Sequence, residues 1–161
     1  MKTLYLIRHA KSSWAFDLND HDRPLGKRGR KDVVKMGKYL SEHQPKPEVL
    51  ISSTASRAFY TALHVCDLMG IDEGQIRLDK NLYHAGAAEI LSVIKHAPNC
   101  DRMALFGHNP GFTSAANALA NLQFDNIPTC GMVGINFDVK YWKDVAFNTG
   151  MLAFFYFPKE I

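Results

Sequence analysis

The feature that most limits the fold is an alternation. Short apolar runs of strand length are separated, through residue 107, by stretches whose apolar residues recur with a helical period. The runs are 3–7, 48–51, 102–107, 132–137 and 151–157, with a weaker one at 76–78. The 27–43 stretch sets Val33, Met36, Gly37 and Leu40 on one stripe and Lys31, Lys35 and Lys38 on another, which predicts an amphipathic helix lying on a sheet. The 54–69 stretch repeats the pattern with Ala55, Ala58, Ala62, Val65 and Met69. Helices are also predicted at 86–96 and 111–121, the latter with Asn109 as its cap and Pro110 at its first position. Strands that alternate with helices pair in parallel, so the expected fold class is α/β. It is a three-layer sandwich with a mostly parallel central sheet and helices on both faces. No helix separates the last two runs, which adds an antiparallel edge strand. No linker, repeat or low-complexity tract interrupts the 161 residues. Residues 1–161 therefore read as a single domain, large enough to bury a core without disulfides or metals.

Composition then removes several classes of function. Cys66, Cys100 and Cys130 are odd in number and lack paired short spacing, so neither a disulfide framework nor a zinc site is indicated. A net charge of +3 is too small to make nucleic acid the main partner. Only four apolar residues precede Arg8, and no later segment approaches membrane-spanning length, so no membrane association and a cytoplasmic location are expected.

Chemistry concentrates where strands run out. Arg8-His9 follows the first run, Ser52-Ser53 leads to Arg57 after the second, and Gly107-His108-Asn109-Pro110-Gly111 follows the 102–107 run. In a parallel sheet such loops converge at one edge. Ser53 is expected to cap the second helix, which places Arg57 near a first turn whose unpaired N–H groups and dipole favour an anion. Two Arg and two His around one point suit phosphoryl transfer, where most of the work is positioning and neutralising charge. Neighbouring guanidinium groups lower a histidine's pKa and keep a lone pair available near neutral pH. His9, on a rigid strand end, is the better nucleophile, with a backbone carbonyl orienting its second ring nitrogen, and His108 is a donor to a phosphoryl oxygen.

These residues resemble the histidine phosphatase superfamily, with its phosphoglycerate-mutase-like fold, and within it the short SixA branch of phosphohistidine phosphatases. The matching segments are Leu4 to Lys11, Asp22-Arg23-Pro24-Leu25 with Gly29, Ser52-Ser53 through Arg57-Ala58 to Thr61-Ala62, and Gly107 to Gly111. The resemblance implies that His9 is transiently phosphorylated, that Arg8, Arg57 and His108 form the phosphate pocket, and that neither a metal nor an organic cofactor is needed. Ala10 stands where most of the superfamily has glycine, as in the SixA branch. Many relatives supply a carboxylic acid after a leucine-containing motif past mid-chain, where this chain has Leu82-Tyr83-His84-Ala85.

A missing acid penalises a phosphomonoester more than a phosphoramidate, whose leaving nitrogen is more basic. The expected activity is thus hydrolysis of phosphohistidine on a protein, with a histidine-phosphotransfer domain as a fitting substrate. A small-molecule phosphomonoesterase and a non-catalytic phosphate-binding module are the alternatives. His84 reads equally as a surface histidine or a proton donor, and Asp20, Asp22 and Glu89 are further candidates for the acid. Ser12 and Ser13 are placed to contact phosphate. Trp14 and Phe16 either line the entrance or cap the core. The base-rich segment Lys27, Arg28, Arg30, Lys31, Lys35, Lys38 is a solvated helix face or a docking rim for an acidic partner. A monomer is expected.

Overall fold

The computed structural model describes residues 1–161. Six strands form one sheet: β1 (Lys2–Arg8), β2 (Val49–Ser52), β3 (Ile76–Leu78), β4 (Arg102–Gly107), β5 (Met132–Phe137) and β6 (Gly150–Tyr156). Four helices accompany them: α1 (Lys27–His43), α2 (Ser56–Met69), α3 (Ala87–Lys95) and α4 (Gly111–Ala120). The strand order is β3-β2-β4-β1-β5-β6. The first four of these pair in parallel, β5 runs antiparallel to β1, and β6 pairs antiparallel with β5 at the edge.

Period-2 alternation along β1 explains the layers. Leu4 and Leu6 point into a core shared with Ile90, Val93 and Ile94 of α3 and with Phe112, Ala115 and Leu119 of α4. Tyr5 and Ile7 point the other way, onto Val33, Met36 and Leu40 of α1 and Ala62, Val65 and Met69 of α2. Both faces of the strand are covered, so its run is apolar throughout instead of alternating with polar residues. The three cysteines are free and buried. No helix is long and apolar enough to cross a membrane.

Two glycines permit backbone contacts that bring the strand-end loops together. A Cβ at Gly29 would lie 2.1 Å from the Lys11 carbonyl oxygen, so α1 presses on the chain just after Ala10. At Gly111 a Cβ would lie 1.9 Å from the Ala85 carbonyl oxygen, so the loop carrying His84 packs on the start of α4. Both obstacles are backbone, which cannot swing aside. Gly111→Ala is expected to cost about 1–3 kcal/mol of stability through overpacking, read as a lower denaturant midpoint. An unchanged midpoint would contradict this close approach.

Candidate active site

Strand register fixes the position of the site. Arg8 pairs with Gly107 across β1 and β4, and Ser52 pairs with Phe106 across β2 and β4. One residue on, the His9 N–H donates to the Gly107 carbonyl at 3.0 Å and the Ser53 N–H to the Phe106 carbonyl at 2.9 Å. His9, Ser53 and His108 therefore leave the sheet side by side, at the carboxyl edge where ligands of open α/β sheets bind. The His9 and His108 rings lie 5.3 Å apart between centroids. Arg57 enters from the first turn of α2.

His9 is buried, and its Nδ1 lies 2.7 Å from the carbonyl oxygen of Ala10. A carbonyl only accepts, so Nδ1 carries the hydrogen and Nε2 keeps its lone pair. The Ala10 N–H donates to Thr61 Oγ1 at 2.9 Å, which holds this turn against α2. Burial, and after it the positive fields of Arg57, Arg8 and Arg23, push the His9 pKa down to about 4, outweighing the Ala10 bond. The ring is neutral and nucleophilic through the physiological range.

His108 has a different tautomer. Its Nε2 lies 2.8 Å from Ser53 Oγ, while Ser53 Oγ also accepts from the Ala55 N–H at 3.2 Å. His108 Nε2 is the one acceptor within reach of the Ser53 hydroxyl hydrogen, which assigns that hydrogen to Nε2 and the ring hydrogen to Nδ1. Burial first, then the fields of His9, Arg57 and His84, push its pKa down to about 3. Ser53 is accordingly not the cap of α2. The helix starts at Ser56, three residues on, with Ala55 at the cap position, and the Ser53 oxygen accepts from the Ala55 N–H ahead of the first turn. At α4, which starts at Gly111 as expected, Asn109 Oδ1 does accept from the Thr113 N–H at 3.1 Å, although Pro110 stands in the cap position and not at the first helical one.

The two arginines are anchored by their terminal nitrogens. Arg8 Nη1 donates to the Ile127 carbonyl at 2.8 Å. Arg57 Nη1 and Nη2 donate to the carbonyl oxygen and the Oδ2 of Asp20, at 2.7 and 3.0 Å. Three buried side-chain nitrogens remain without a hydrogen-bond partner: Arg8 Nε, Arg57 Nε and His108 Nδ1. An orphaned buried N–H is costly in a folded protein, and three of them on residues grouped around His9 make a cradle of donors for an oxyanion.

A second layer of side chains, whose bonding the sequence does not reveal, surrounds this cradle. Asp20 Oδ2 accepts from Tyr83 Oη at 2.7 Å, and Oδ1 accepts from Arg23 Nη2 at 3.0 Å. The Tyr83 hydroxyl first, with the Arg23 and Arg57 guanidinium groups, holds the Asp20 carboxyl well below the usual carboxylate range. Asp20 therefore reaches the site as an anion, not as an acid. Arg23 is buried and also donates to Ser12 Oγ at 2.5 Å, so the Ser12 hydroxyl oxygen is engaged by Arg23. Ser13 is tied to the backbone, its N–H donating to the Pro24 carbonyl at 2.8 Å. His84 is exposed, with a left-handed φ of 56°, and shares a cleft of about 240 Å³ with His108, Asn109 and Gly111. Asp22 is exposed beside His21. Glu89 lines a different cleft with Asp79, Asn81, Ser92 and His96. Trp14 and Phe16 are exposed and do not cap the core.

The neutral histidines make stability sensitive to acid. Both folded pKa values lie below the ordinary 6.5. As pH falls through 6.5 the unfolded chain takes up protons that the folded protein refuses. The stability these rings contribute is whole above that pH and drains on acidification toward about 4 for His9 and about 3 for His108. Melting temperatures across this window are expected to fall less steeply in a His9→Asn, His108→Asn double variant. Identical slopes would contradict the assignment.

Comparisons with known proteins bear on the family and the fold. A family model described as histidine phosphatase superfamily (branch 1) matches residues 4–89. A chloroplastic Arabidopsis thaliana protein of uncharacterised activity is 31% identical, over 89% of this chain and 70% of its own. An uncharacterised Mycobacterium tuberculosis protein is 29% identical, over 95% of this chain and all of its own. Among solved structures, one assigned as the phosphohistidine phosphatase SixA of Agrobacterium tumefaciens is 25% identical and superposes with a TM-score of 0.83, covering 98% of each chain. The protein histidine phosphatase SixA in complex with tungstate shares the fold, at 16% identity and a TM-score of 0.78 over 98% of each chain. With the family model spanning more than half its length, the chain belongs to the histidine phosphatase superfamily, branch 1, a family of phosphatases.

Proposed function

We propose that this phosphatase removes the phosphoryl group from a phosphohistidine borne by a protein, by way of a phosphorylated His9. The observation that carries the reading is the orphaned trio Arg8 Nε, Arg57 Nε and His108 Nδ1 around a neutral His9. In the first step the His9 Nε2 lone pair attacks phosphorus in line, the P–N bond to the substrate ring breaks, and the departing nitrogen keeps the bonding pair and takes a proton from water. The equatorial oxygens gather charge as this happens, and the three donors and two guanidinium charges offset it. In the second step a water oxygen attacks the phosphorus on His9, the P–Nε2 bond breaks, and phosphate leaves with the ring again neutral.

Asp20 supports this choice of substrate class. The carboxylate touching the site is held ionised by Tyr83, Arg23 and Arg57, so it has no proton to give an alkoxide. A phosphoramidate, whose leaving nitrogen is basic, loses least by this. The likeness to the Agrobacterium tumefaciens protein assigned as a phosphohistidine phosphatase supports the same choice. Initial rates on phosphohistidine are expected to exceed those on an alkyl phosphate by about 10²-fold. Equal rates, or a preference for the ester, would overturn the choice of substrate.

Ser53 acts in this scheme as a positioning residue. Ser53→Ala removes the hydroxyl that fixes the His108 tautomer, and phosphate release is expected to fall by about 10- to 100-fold through kcat. Ser53→Thr, which keeps the hydroxyl, restores most of it. A loss shared equally by both variants would mean that Ser53 serves packing alone.

A further inference from the structure

The loop between the His9 end of β1 and the start of α1 carries large apolar side chains that the core does not claim. Trp14 is 76% exposed, Phe16 60% and Leu18 48%. Large apolar side chains left in water forgo the gain of burial, and three of them on one short loop mark an interaction surface. Trp14 is also held in place. The Arg23 guanidinium carbon lies 3.5 Å from its ring centroid, and Arg23 is itself buried, bound to Ser12 and Asp20, with a field that reaches His9. The indole thus stacks on a guanidinium whose field reaches the site, and most of the ring is open to solvent.

The base of the same loop is joined to the basic helix. Gly26 N–H donates to the Lys11 carbonyl at 2.9 Å and Ser13 N–H to the Pro24 carbonyl at 2.8 Å. Lys27, Arg28 and Lys31 follow at once, all exposed, with Arg28 only 3.7 Å from Asp32. The pocket is therefore bordered by an apolar lip and, beyond it, a cationic flank. A small phosphorylated metabolite would leave the lip uncovered.

We propose that Trp14, Phe16 and Leu18 form the docking lip for a phosphohistidine-bearing protein whose surface is apolar beside the phosphohistidine and acidic further out. The inference rests on the phosphohistidine reading and names the surface chemistry of its substrate. An exposed tryptophan held by a guanidinium is the kind of residue that dominates protein interfaces, and the basic flank speeds encounter with an acidic partner.

Two synthetic peptides carrying the same non-hydrolysable phosphoryl-triazolylalanine test it, one flanked by Leu and Glu and the other by Ser and Lys. Calorimetric titration of the full chain is expected to give a Kd at least about tenfold lower for the Leu/Glu peptide. Phe16→Ser with Leu18→Ser is expected to abolish most of that gap, while the free analogue binds variant and wild type alike. Equal Kd values for the two peptides, or a gap that survives the double substitution, overturn the docking lip. So does binding to anionic lipid vesicles that the double substitution removes without any discrimination between peptides. Phosphate release from free phosphohistidine by the wild type reports separately on the catalytic reading, because the titration requires no turnover.

Discussion

His9→Ala is expected to lower phosphate release from phosphohistidine by about 10⁴-fold or more, with no label retained on the protein. No neighbouring group replaces the lost function. His108 leaves Nδ1 unpartnered and spends its Nε2 on Ser53, so its lone pair is already engaged. The residual rate would come from the pocket, which still gathers the phosphoryl oxygens. The fold should survive, because the strand pairing of Arg8 with Gly107 and the His9 backbone bonds to Gly107 and Cys130 do not involve the ring. Inorganic phosphate should therefore still bind the variant. Release within about tenfold of wild type would remove His9 from the nucleophile's role.

Arg57→Lys is the second large effect. It preserves the charge yet is expected to cost about 10²–10³-fold in kcat/KM. One end of the guanidinium is fixed by two bonds to Asp20, at its carbonyl and at Oδ2, and this leaves Nε as the unpartnered donor. A lysine ammonium cannot hold both ends. It will settle on the Asp20 carboxylate and withdraw from the pocket, so both the positioning and the donor are lost. Inhibition by inorganic phosphate should weaken in parallel. A lysine variant with wild-type kinetics would mean that Arg57 contributes charge alone.

Much of the framework was legible because it depends on local pattern. Apolar period along the chain placed α1 without error at 27–43 and the strand ends within a residue or so, and strand ends place loops. Arg8, His9, Arg57 and His108 could be grouped because parallel register carries their loops to one edge. The second layer was less accessible. Ser53 reads as a helix cap, a role open to most serines at such a position, but the helix starts three residues later and the bond from Ser53 to His108 spans 55 positions. Asp20 could be suspected of overhanging the pocket, but its ionisation depends on Tyr83, 63 positions away, and on the direction of two guanidinium groups. Nothing periodic marks such contacts. The short β3 gave a weak signal for another reason: it lies at the sheet edge with Arg77 and Leu78 exposed, so its pattern need not be strongly apolar.

The most direct test of the account is to identify the covalent intermediate. Wild-type protein mixed with phosphohistidine, quenched in alkali within the first turnover and digested, should give a peptide phosphorylated on His9, with phosphorus-31 resonances of an Nε2-phosphorylated ring. Nδ1 is expected to stay unmodified, because its hydrogen is held by the Ala10 carbonyl. Phosphate released at the full rate without any labelled peptide, or label found on His108 or another side chain, would contradict the central claim.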